Sequence, residues 1–297
     1  MMFKNVLIWI LLGRRAGIKG EIIMYKLIVS DLDETLLNDE NDICVKNIEA
    51  IKKASKLGVK FVPASGRGYR EIEKVLKNLD LNDNEQQYVI SFNGCAITKS
   101  KDNTILRFNH LPFEKANELF QVGLTKEVCI HLHTSDTIYI YNINEDERNR
   151  MSKLNMNLKE FKEPSIEFLR NIPIAKIIYV NVDSDYLRSI DDEIKLITAG
   201  SVSVCYSTNC CMELNKHGVN KGEALLALAE FLGIKQEETI AVGDSYNDMS
   251  MLAVAGLSVA AGNAVEDVKK ACRYICKSDN NEGVLAEVIE KFILKGR

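Results

Sequence analysis

Four short polar clusters contain the residues of this chain that are best suited to chemistry. Each follows a predicted strand or opens a predicted helix, and they are Asp31-Leu32-Asp33-Glu34-Thr35, Ser65-Gly66-Arg67, Lys221-Gly222 and Gly243-Asp244-Ser245-Tyr246-Asn247-Asp248. Taken alone, each is typical of a helix cap or a solvated loop. In open α/β sheets, however, ligands bind at the carboxyl ends of the strands, so the joint occurrence of the four clusters predicts a functional site.

The residue types in these clusters indicate phosphoryl chemistry. Carboxylates crowded at one sheet edge repel one another and cannot all stay ionised without a cation. Oxygen ligands of this kind select a hard divalent metal, and Mg²⁺ is usually bound by one or two carboxylates together with substrate phosphate. Lys221, the Ser65 hydroxyl and backbone N–H groups near Gly66 can hold the other phosphate oxygens. The clusters contain no His or Cys, so a carboxylate is the predicted nucleophile.

Alternating strands and helices are expected to position the clusters. Short apolar runs predict strands over Lys26 to Ser30, Val59 to Pro63, Tyr88 to Phe92 and Thr239 to Val242. Segments with apolar residues at helical spacing lie between these strands, and Gly58 and Gly233 end two of the predicted helices. This alternation predicts an α/β fold with a doubly wound, Rossmann-like parallel sheet.

The pattern changes in the middle of the chain. Val128 to Asn142 reads as an antiparallel hairpin, residues 143–172 are polar and irregular, and Val202 to Ser207 with Cys211 to Leu214 reads as a further strand pair. We therefore expect an α+β cap domain inserted into the parallel-sheet core. The predicted boundaries are core over 24–106, cap over 107–208 and core again over 209–297.

The first 23 residues are expected to lie outside the fold. Val6 to Leu12 is an apolar run of seven residues, whereas a membrane-spanning helix needs about 20. Arg14 and Arg15 follow this run instead of preceding it, which is unlike a signal peptide. We expect the functional chain to start at Met24, with a weak membrane-surface helix as the alternative for the extension.

Composition excludes several classes of function. The chain has 297 residues, 46% of them hydrophobic and 27% charged, with 38 basic and 42 acidic side chains. There is no basic excess to neutralise a phosphate backbone, so nucleic acid is not an expected partner. The eight cysteines show no metal-site spacing and are expected to be reduced thiols. These features predict a cytoplasmic protein without stable membrane insertion.

The motifs together resemble those of a known family. The chain resembles the haloacid dehalogenase superfamily phosphatases in their four motifs. These are, in chain order, Asp31-x-Asp33-x-Thr35, Ser65, Lys221 and Gly243-Asp244-x-x-x-Asp248. Ser91-Phe92-Asn93-Gly94 and Gly218-Val219-Asn220-Lys221-Gly222 narrow the resemblance to the Cof-type subclass IIB hydrolases. The resemblance covers residues 24–297. Ser65 stands where the subclass often has threonine, and either residue supplies the hydroxyl.

This resemblance implies roles for the aspartates. Asp31 would attack phosphorus to form an aspartyl-phosphate, and Asp33 would protonate the leaving alkoxide and then take a proton from water. The Asp31 carboxylate, the Asp33 carbonyl and the Asp244 carboxylate would bind Mg²⁺. Asn93 and Arg67 would lie near the site.

The remaining motif residues would act on the phosphate and on the metal's surroundings. Asp248 would orient metal-bound water or Lys221, and Asn247 would contact phosphate or such a water. Ser65, Gly66, Lys221 and Asn247 would bind the substrate phosphate, with Ser65 and Lys221 steadying the transferring group.

The predicted function is a Mg²⁺-dependent phosphatase of a small phosphorylated metabolite, with a sugar phosphate as the first candidate. The alternatives are a cofactor or nucleotide monophosphate, such as a flavin or pyridoxal phosphate, and a regulator that binds a phosphometabolite without turnover. His131 and His133 alternate on one predicted strand face, and we favour packing over a metal pair because no third ligand is visible nearby.

Overall fold

A computed structural model describes residues 24–82, 84–152, 156–208 and 210–295. The N-terminal extension that the sequence predicts lies outside these residues. Among the helices of the described part, none combines the length and apolar composition that crossing a membrane requires.

The strands alternate with helices at both ends of the chain. The strands are β1 Leu27–Ser30, β2 Lys60–Pro63, β3 Tyr88–Ser91, β4 Ala96–Lys99, β5 Thr104–Phe108, β6 Cys129–His133, β7 Thr137–Tyr141, β8 Asn157–Phe161, β9 Lys176–Val180, β10 Val202–Thr208, β11 Cys211–Lys216, β12 Thr239–Gly243, β13 Leu257–Ala260 and β14 Tyr274–Ile275. The helices are α1 Val45–Lys56, α2 Tyr69–Asn78, α3 Phe113–Leu124, α4 Glu145–Ser152, α5 Ser184–Thr198, α6 Lys221–Phe231, α7 Met249–Val254, α8 Glu266–Ala271 and α9 Val284–Ile289, the last followed by a π-helical turn over Glu290–Leu294.

A five-stranded parallel sheet forms the core, in the order β14-β13-β12-β1-β2. Its central strands β1 and β12 are buried along their whole length, which explains why they read as continuous apolar runs. Helices α1 and α9 pack together, and the Asn47 side chain accepts a hydrogen bond of 2.9 Å from the Ala286 backbone N–H. The α/β fold with a parallel sheet is confirmed.

The predicted strand over Tyr88 to Phe92 is not a full member of this sheet. It forms β3 and pairs with β4 in a separate antiparallel sheet of order β3-β4-β5. A single parallel bridge between Ala64 and Ile90 links it to the end of β2. The chain reverses after Ser91 because Phe92 and Asn93 both have positive φ, at 51° and 53°, so β3 continues into a hairpin.

A second, six-stranded sheet is inserted between β5 and α6, and we call it the inserted sheet. Its order is β10-β11-β9-β6-β7-β8, with antiparallel pairing except between β7 and β8. The predicted boundary between residues 208 and 209 falls inside this sheet, since β11 pairs with both β9 and β10. The sheet therefore extends to Lys216.

The segment over 143–172, which the sequence predicts to be irregular, contains α4 and β8. Helix α4 has little apolar periodicity, but acidic residues fill its first turn, where they interact favourably with the helix dipole. The Asn144 side chain also accepts a hydrogen bond of 2.8 Å from the Glu147 N–H. Strand β8 depends on its parallel pairing with β7, a contact that no local pattern reveals.

Candidate active site

The carboxyl ends of β1, β2 and β12 bring three of the predicted clusters together. Strand β1 lies between β2 and β12, so Asp31, which follows β1, is flanked by the loops that begin at Ser65 and Asp244. Asp31 and Asp244 are 4% and 6% exposed. The buried location of these carboxylates already sets them apart from solvated loop residues.

Lys221 at the start of α6 is fully buried between two of the aspartates. Its Nζ donates hydrogen bonds to Asp31 Oδ1 and, at 2.7 Å, to Asp248 Oδ1. The helix approaches α7 closely at Gly222, where a Cβ atom would lie 2.4 Å from the Ser250 carbonyl oxygen. The glycine after Lys221 is therefore required for the position of the lysine.

Asp248 supports the loop that carries Asp244. Its Oδ2 accepts hydrogen bonds from the backbone N–H groups of Asp244 and Ser245, at 3.0 and 3.1 Å. A Cβ atom at Gly243 would lie 2.5 Å from Asp248 Cγ, so the loop requires glycine there. Both oxygens of Asp248 are thus engaged by the protein, which suits an orienting residue better than a metal ligand.

Asp31, Asp244 and Asp248 form a compact acidic group whose ligand oxygens lie within 4.8 Å of one another. It is the only group of three or more candidate metal-binding side chains in the described part of the chain. Thr35 Oγ1 donates a hydrogen bond of 2.6 Å to Asp244 Oδ1. Such a set of hard oxygen donors fits Mg²⁺.

Lys221 alone does not balance the charge of the three aspartates. Burial raises the pKa of Asp31 well above its usual range, against the opposing effect of Lys221, and the neighbouring Asp248 and Asp244 raise it further. Burial is also the main cause that raises the pKa of Asp244 to about 7, with Asp248 adding to it and the Thr35 hydrogen bond opposing it. A bound cation would stabilise the ionised form of both carboxylates, so the two raised pKa values indicate a site that favours an additional cation.

Asp33 and Arg67 form a pair at the edge of this site. Arg67 Nε donates a hydrogen bond of 3.1 Å to Asp33 Oδ2, and Nη2 contacts Asp33 Oδ1. Arg67 Nη2 also donates to Asn41 Oδ1 at 3.1 Å. The family resemblance implies that Arg67 lies near the site, but the sequence does not reveal Asp33 as its partner.

The loop after β2 presents Ser65 and Gly66 beside two asparagines. Ser65 Oγ accepts a hydrogen bond of 3.1 Å from the Arg67 N–H, and the Ser65 carbonyl accepts one of 2.9 Å from the Asn93 N–H. A Cβ atom at Gly66 would lie 3.2 Å from Asn93 Nδ2. Asn247 Nδ2 donates to Asn93 Oδ1 at 3.4 Å, so Asn247 and Asn93 lie together at this loop.

Two residues near the site belong to none of the motifs that the sequence analysis identifies. Asn263 Nδ2 donates a hydrogen bond of 2.8 Å to the carbonyl of Glu34, which has a positive φ of 58°. Its one sequence signal is its position shortly after β13. Lys176 of the inserted sheet donates a hydrogen bond of 3.3 Å to the Gly66 carbonyl, and no local pattern marks it.

The two histidines of β6 are part of a packed sheet face. Both are buried, and His131 Nε2 lies 3.0 Å from Glu147 Oε1. The ring of His133 packs edge-on against Phe92, with centroids 6.2 Å apart. Within the described residues neither histidine belongs to a group of three potential ligands.

Comparison with known proteins agrees with the class that this fold and site define. Residues 28–289 match a family model described as haloacid dehalogenase-like hydrolase. A haloacid dehalogenase-like hydrolase from Bacteroides thetaiotaomicron is 34% identical, with 91% of this chain and 100% of that chain covered and a TM-score of 0.81. The chain therefore belongs to the haloacid dehalogenase-like hydrolase family, as its motifs indicate.

Several relatives carry names that state a phosphatase activity. The 5-amino-6-(5-phospho-D-ribitylamino)uracil phosphatase YcsE of Bacillus subtilis is 28% identical over 278 residues, which cover 94% of this chain and 100% of the relative. A subclass IIB sugar phosphatase of known structure is 23% identical and shares the fold, with a TM-score of 0.75 and coverage of 90% of this chain and 98% of that chain. The protein is a phosphatase of this family.

Proposed function

We propose that this phosphatase is Mg²⁺-dependent and hydrolyses small phosphomonoesters, in particular sugar phosphates, through an aspartyl-phosphate on Asp31. One observation carries the proposal. Asp31 is buried at the end of the central strand β1 and is bonded to Lys221, within 4.8 Å of the other two aspartates. A nucleophilic carboxylate, a cation for the phosphoryl oxygens and a metal-binding carboxylate thus meet at one point.

The acidic group at the end of β1 and β12 supports a Mg²⁺ site. The carboxylates of Asp31 and Asp244 and the backbone carbonyl of Asp33 would hold the ion, while Asp248 keeps the Asp244 loop and Lys221 in place. When bound, Mg²⁺ would neutralise the carboxylates and polarise a phosphoryl oxygen.

In the first step, an Asp31 oxygen forms a bond to phosphorus as the bond from phosphorus to the ester oxygen breaks. Asp33 gives its proton to that leaving oxygen. Ser65, the Gly66 N–H, Lys221 and Asn247 hold the oxygens of the transferring group. In the second step, water attacks the phosphorus of the aspartyl-phosphate, Asp33 takes up the water proton, and inorganic phosphate and the Asp31 carboxylate are released.

A second candidate substrate is a phosphorylated cofactor precursor. The relatives YcsE and YwtE of Bacillus subtilis are both named 5-amino-6-(5-phospho-D-ribitylamino)uracil phosphatases. That compound carries its phosphate on a ribityl chain, which resembles a sugar phosphate in its hydroxyl groups.

A cytoplasmic location remains a prediction of the cysteine pattern.

A panel of phosphorylated metabolites tests this function. The purified chain is incubated with hexose, pentose and ribityl phosphates, a nucleoside monophosphate and pyridoxal phosphate, and released phosphate is measured with Mg²⁺ and with EDTA. We expect Mg²⁺-dependent release, highest with a sugar or ribityl phosphate. Equal rates with EDTA would contradict the metal requirement, and a preference for the nucleotide or pyridoxal phosphate would contradict the substrate class.

A further inference from the structure

The inserted sheet has two different faces. Leu132, Ile177 and Leu214 are paired neighbours on β6, β9 and β11, and all three are fully buried. They belong to the same apolar cluster as residues of α3 and α5. This face of the sheet therefore packs on its own helices.

The opposite face carries a row of polar side chains, because successive residues of a strand point to opposite faces. His133, Lys176 and Asn215 are paired neighbours across the same three strands, and we call them the polar row. They are 8%, 3% and 6% exposed. Three polar side chains in register and out of contact with water are costly unless they have partners.

Lys176 places the polar row against the phosphate loop. Its Nζ donates a hydrogen bond of 2.8 Å to Glu213 Oε2 and one of 3.3 Å to the carbonyl of Gly66, next to Ser65. An ammonium group has three donors, and these contacts use two of them. The row thus lies over the loop that is proposed to bind the substrate phosphate.

Two atoms of the polar row lack hydrogen-bond partners among the residues that the structure describes. They are His133 Nε2 and Asn215 Oδ1, both inaccessible to solvent. Buried polar atoms are nearly always paired, so unpaired ones call for an explanation. His133 on β6 and Asn215 on β11 lie on either side of Lys176 on β9, and this common place points to a shared partner that is bound there.

We propose that the polar row binds the part of the substrate beyond its phosphate, and that this part carries several hydroxyl groups. This inference rests on the proposed phosphatase function and deepens it. A hydroxyl both donates and accepts hydrogen bonds. Neighbouring hydroxyls of a sugar or polyol therefore satisfy the Asn215 oxygen, and they satisfy His133 Nε2 whether that nitrogen carries a proton or not. The Lys176 ammonium exchanges the Gly66 carbonyl for a substrate hydroxyl. An alkyl group would leave the Asn215 oxygen and the His133 nitrogen without partners.

Two phosphate esters of equal chain length test the inference. Glucitol 6-phosphate and n-hexyl phosphate both release a primary alcohol of six carbons, but only the first carries further hydroxyls. We expect wild-type protein to prefer the glucitol ester. Asn215→Leu and His133→Leu are each expected to lower kcat/KM for that ester about 10-fold, the loss of one or two hydrogen bonds, and to change n-hexyl phosphate hydrolysis by less than about 2-fold.

Matched variants separate recognition from folding. His217→Leu replaces an exposed histidine just beyond β11 and is expected to keep the wild-type preference. His133→Gln retains a hydrogen-bonding group and is expected to restore part of the preference. If thermal denaturation shows that a leucine variant does not fold, Asn215→Ala and His133→Ala replace it, and the same loss of preference is expected.

The outcomes distinguish this inference from the proposed function. An unchanged ratio of kcat/KM for the two esters in every folded variant of the polar row would overturn the inference while leaving the phosphatase activity in place. If wild-type protein hydrolysed neither ester nor any compound of the metabolite panel, the proposed function itself would be wrong.

Discussion

Arg67 pairs side by side with Asp33, with Nε 3.1 Å from Oδ2 and Nη2 in contact with Oδ1. The two side chains come from loops after neighbouring strands, and the Asp33 side chain is half exposed. A planar guanidinium fixes the orientation of a carboxylate as well as its charge. We infer that Arg67 is a positioning residue for the proposed acid and base.

Replacement of Arg67 is expected to impair proton donation selectively. Asp33→Asn should lower kcat for a sugar phosphate by about 10²–10⁴-fold, and Arg67→Ala by a smaller factor of at least about 10. Because nitrophenolate leaves without a proton, p-nitrophenyl phosphate should lose less in both variants. Arg67→Lys keeps the charge but not the paired contacts of the guanidinium with Asp33, and its kcat should lie between those of wild type and Arg67→Ala. Equal losses with both substrates in steady-state kinetics would indicate a general structural effect.

Asp31→Asn is expected to abolish turnover and covalent labelling, since an amide cannot act as this nucleophile. Acid quenching during turnover of ³²P-labelled p-nitrophenyl phosphate measures protein-bound phosphate. Asp33→Asn keeps the nucleophile and serves as the control that should still become labelled. Near-normal Mg²⁺-dependent activity of Asp31→Asn would contradict the aspartyl-phosphate mechanism.

Mg²⁺ is expected to stabilise the folded protein through Asp244. A ligand at 100 times its Kd adds about 2.7 kcal/mol to the free energy of unfolding, which corresponds to a rise in Tm of roughly 5–10 °C. Asp244→Asn should remove most of this rise in thermal denaturation. Asp33→Asn keeps the backbone carbonyl and should retain it. A wild-type response in Asp244→Asn would show that the ion binds elsewhere.

Gly94 is expected to be required for the position of α6. It has a φ of +99°, and a Cβ atom there would lie 2.2 Å from the carbonyl oxygen of Asn220, the residue before Lys221. Gly94→Ala should lower the free energy of unfolding by at least about 3 kcal/mol. Gly58→Ala, at a φ of +82° with no atom within 4 Å, should cost only about 1 kcal/mol. Urea denaturation compares the two, and similar losses would refute the steric argument.

Glu147 is expected to make the inserted sheet sensitive to acid. Burial opposes ionisation of Glu147, but its contacts with His131 and Arg150 outweigh this effect and lower its pKa from 4.5 to about 2. A carboxyl with a lowered pKa in the folded state stabilises it above pH 4.5, and this contribution is lost as the pH falls toward 2. Glu147→Gln should therefore reduce stability at pH 7 by roughly 2–3 kcal/mol.

Unfolding of the Glu147→Gln variant across pH checks this expectation. The difference from wild type should shrink between pH 4.5 and 2. Glu145→Gln, at an exposed position of the same helix, should change stability by less than about 0.5 kcal/mol at every pH. A difference between Glu147→Gln and wild type that did not vary with pH would exclude titration of Glu147 as its source.

The sequence by itself determines the elements and the chemistry at the ends of the core strands. Apolar runs such as the one before Asp31 mark buried strands, and parallel strands point their carboxyl ends to one edge. The strand that precedes each cluster is therefore sufficient to predict that Asp31, Ser65 and Asp244 lie close together at one edge of the sheet. Backbone periodicity and strand direction are local properties, and they can be read along the chain.

Tertiary structure alone decides which side chains become partners across the fold. The pairs Thr35–Asp244 and Lys176–Gly66 join residues 209 and 110 positions apart. The pairing of β11 with β9 connects the β10–β11 pair to the rest of the inserted sheet. Such contacts depend on the register of distant strands and on the approach of two separate sheets. These are set by packing of the whole chain, because no neighbour in sequence restrains them.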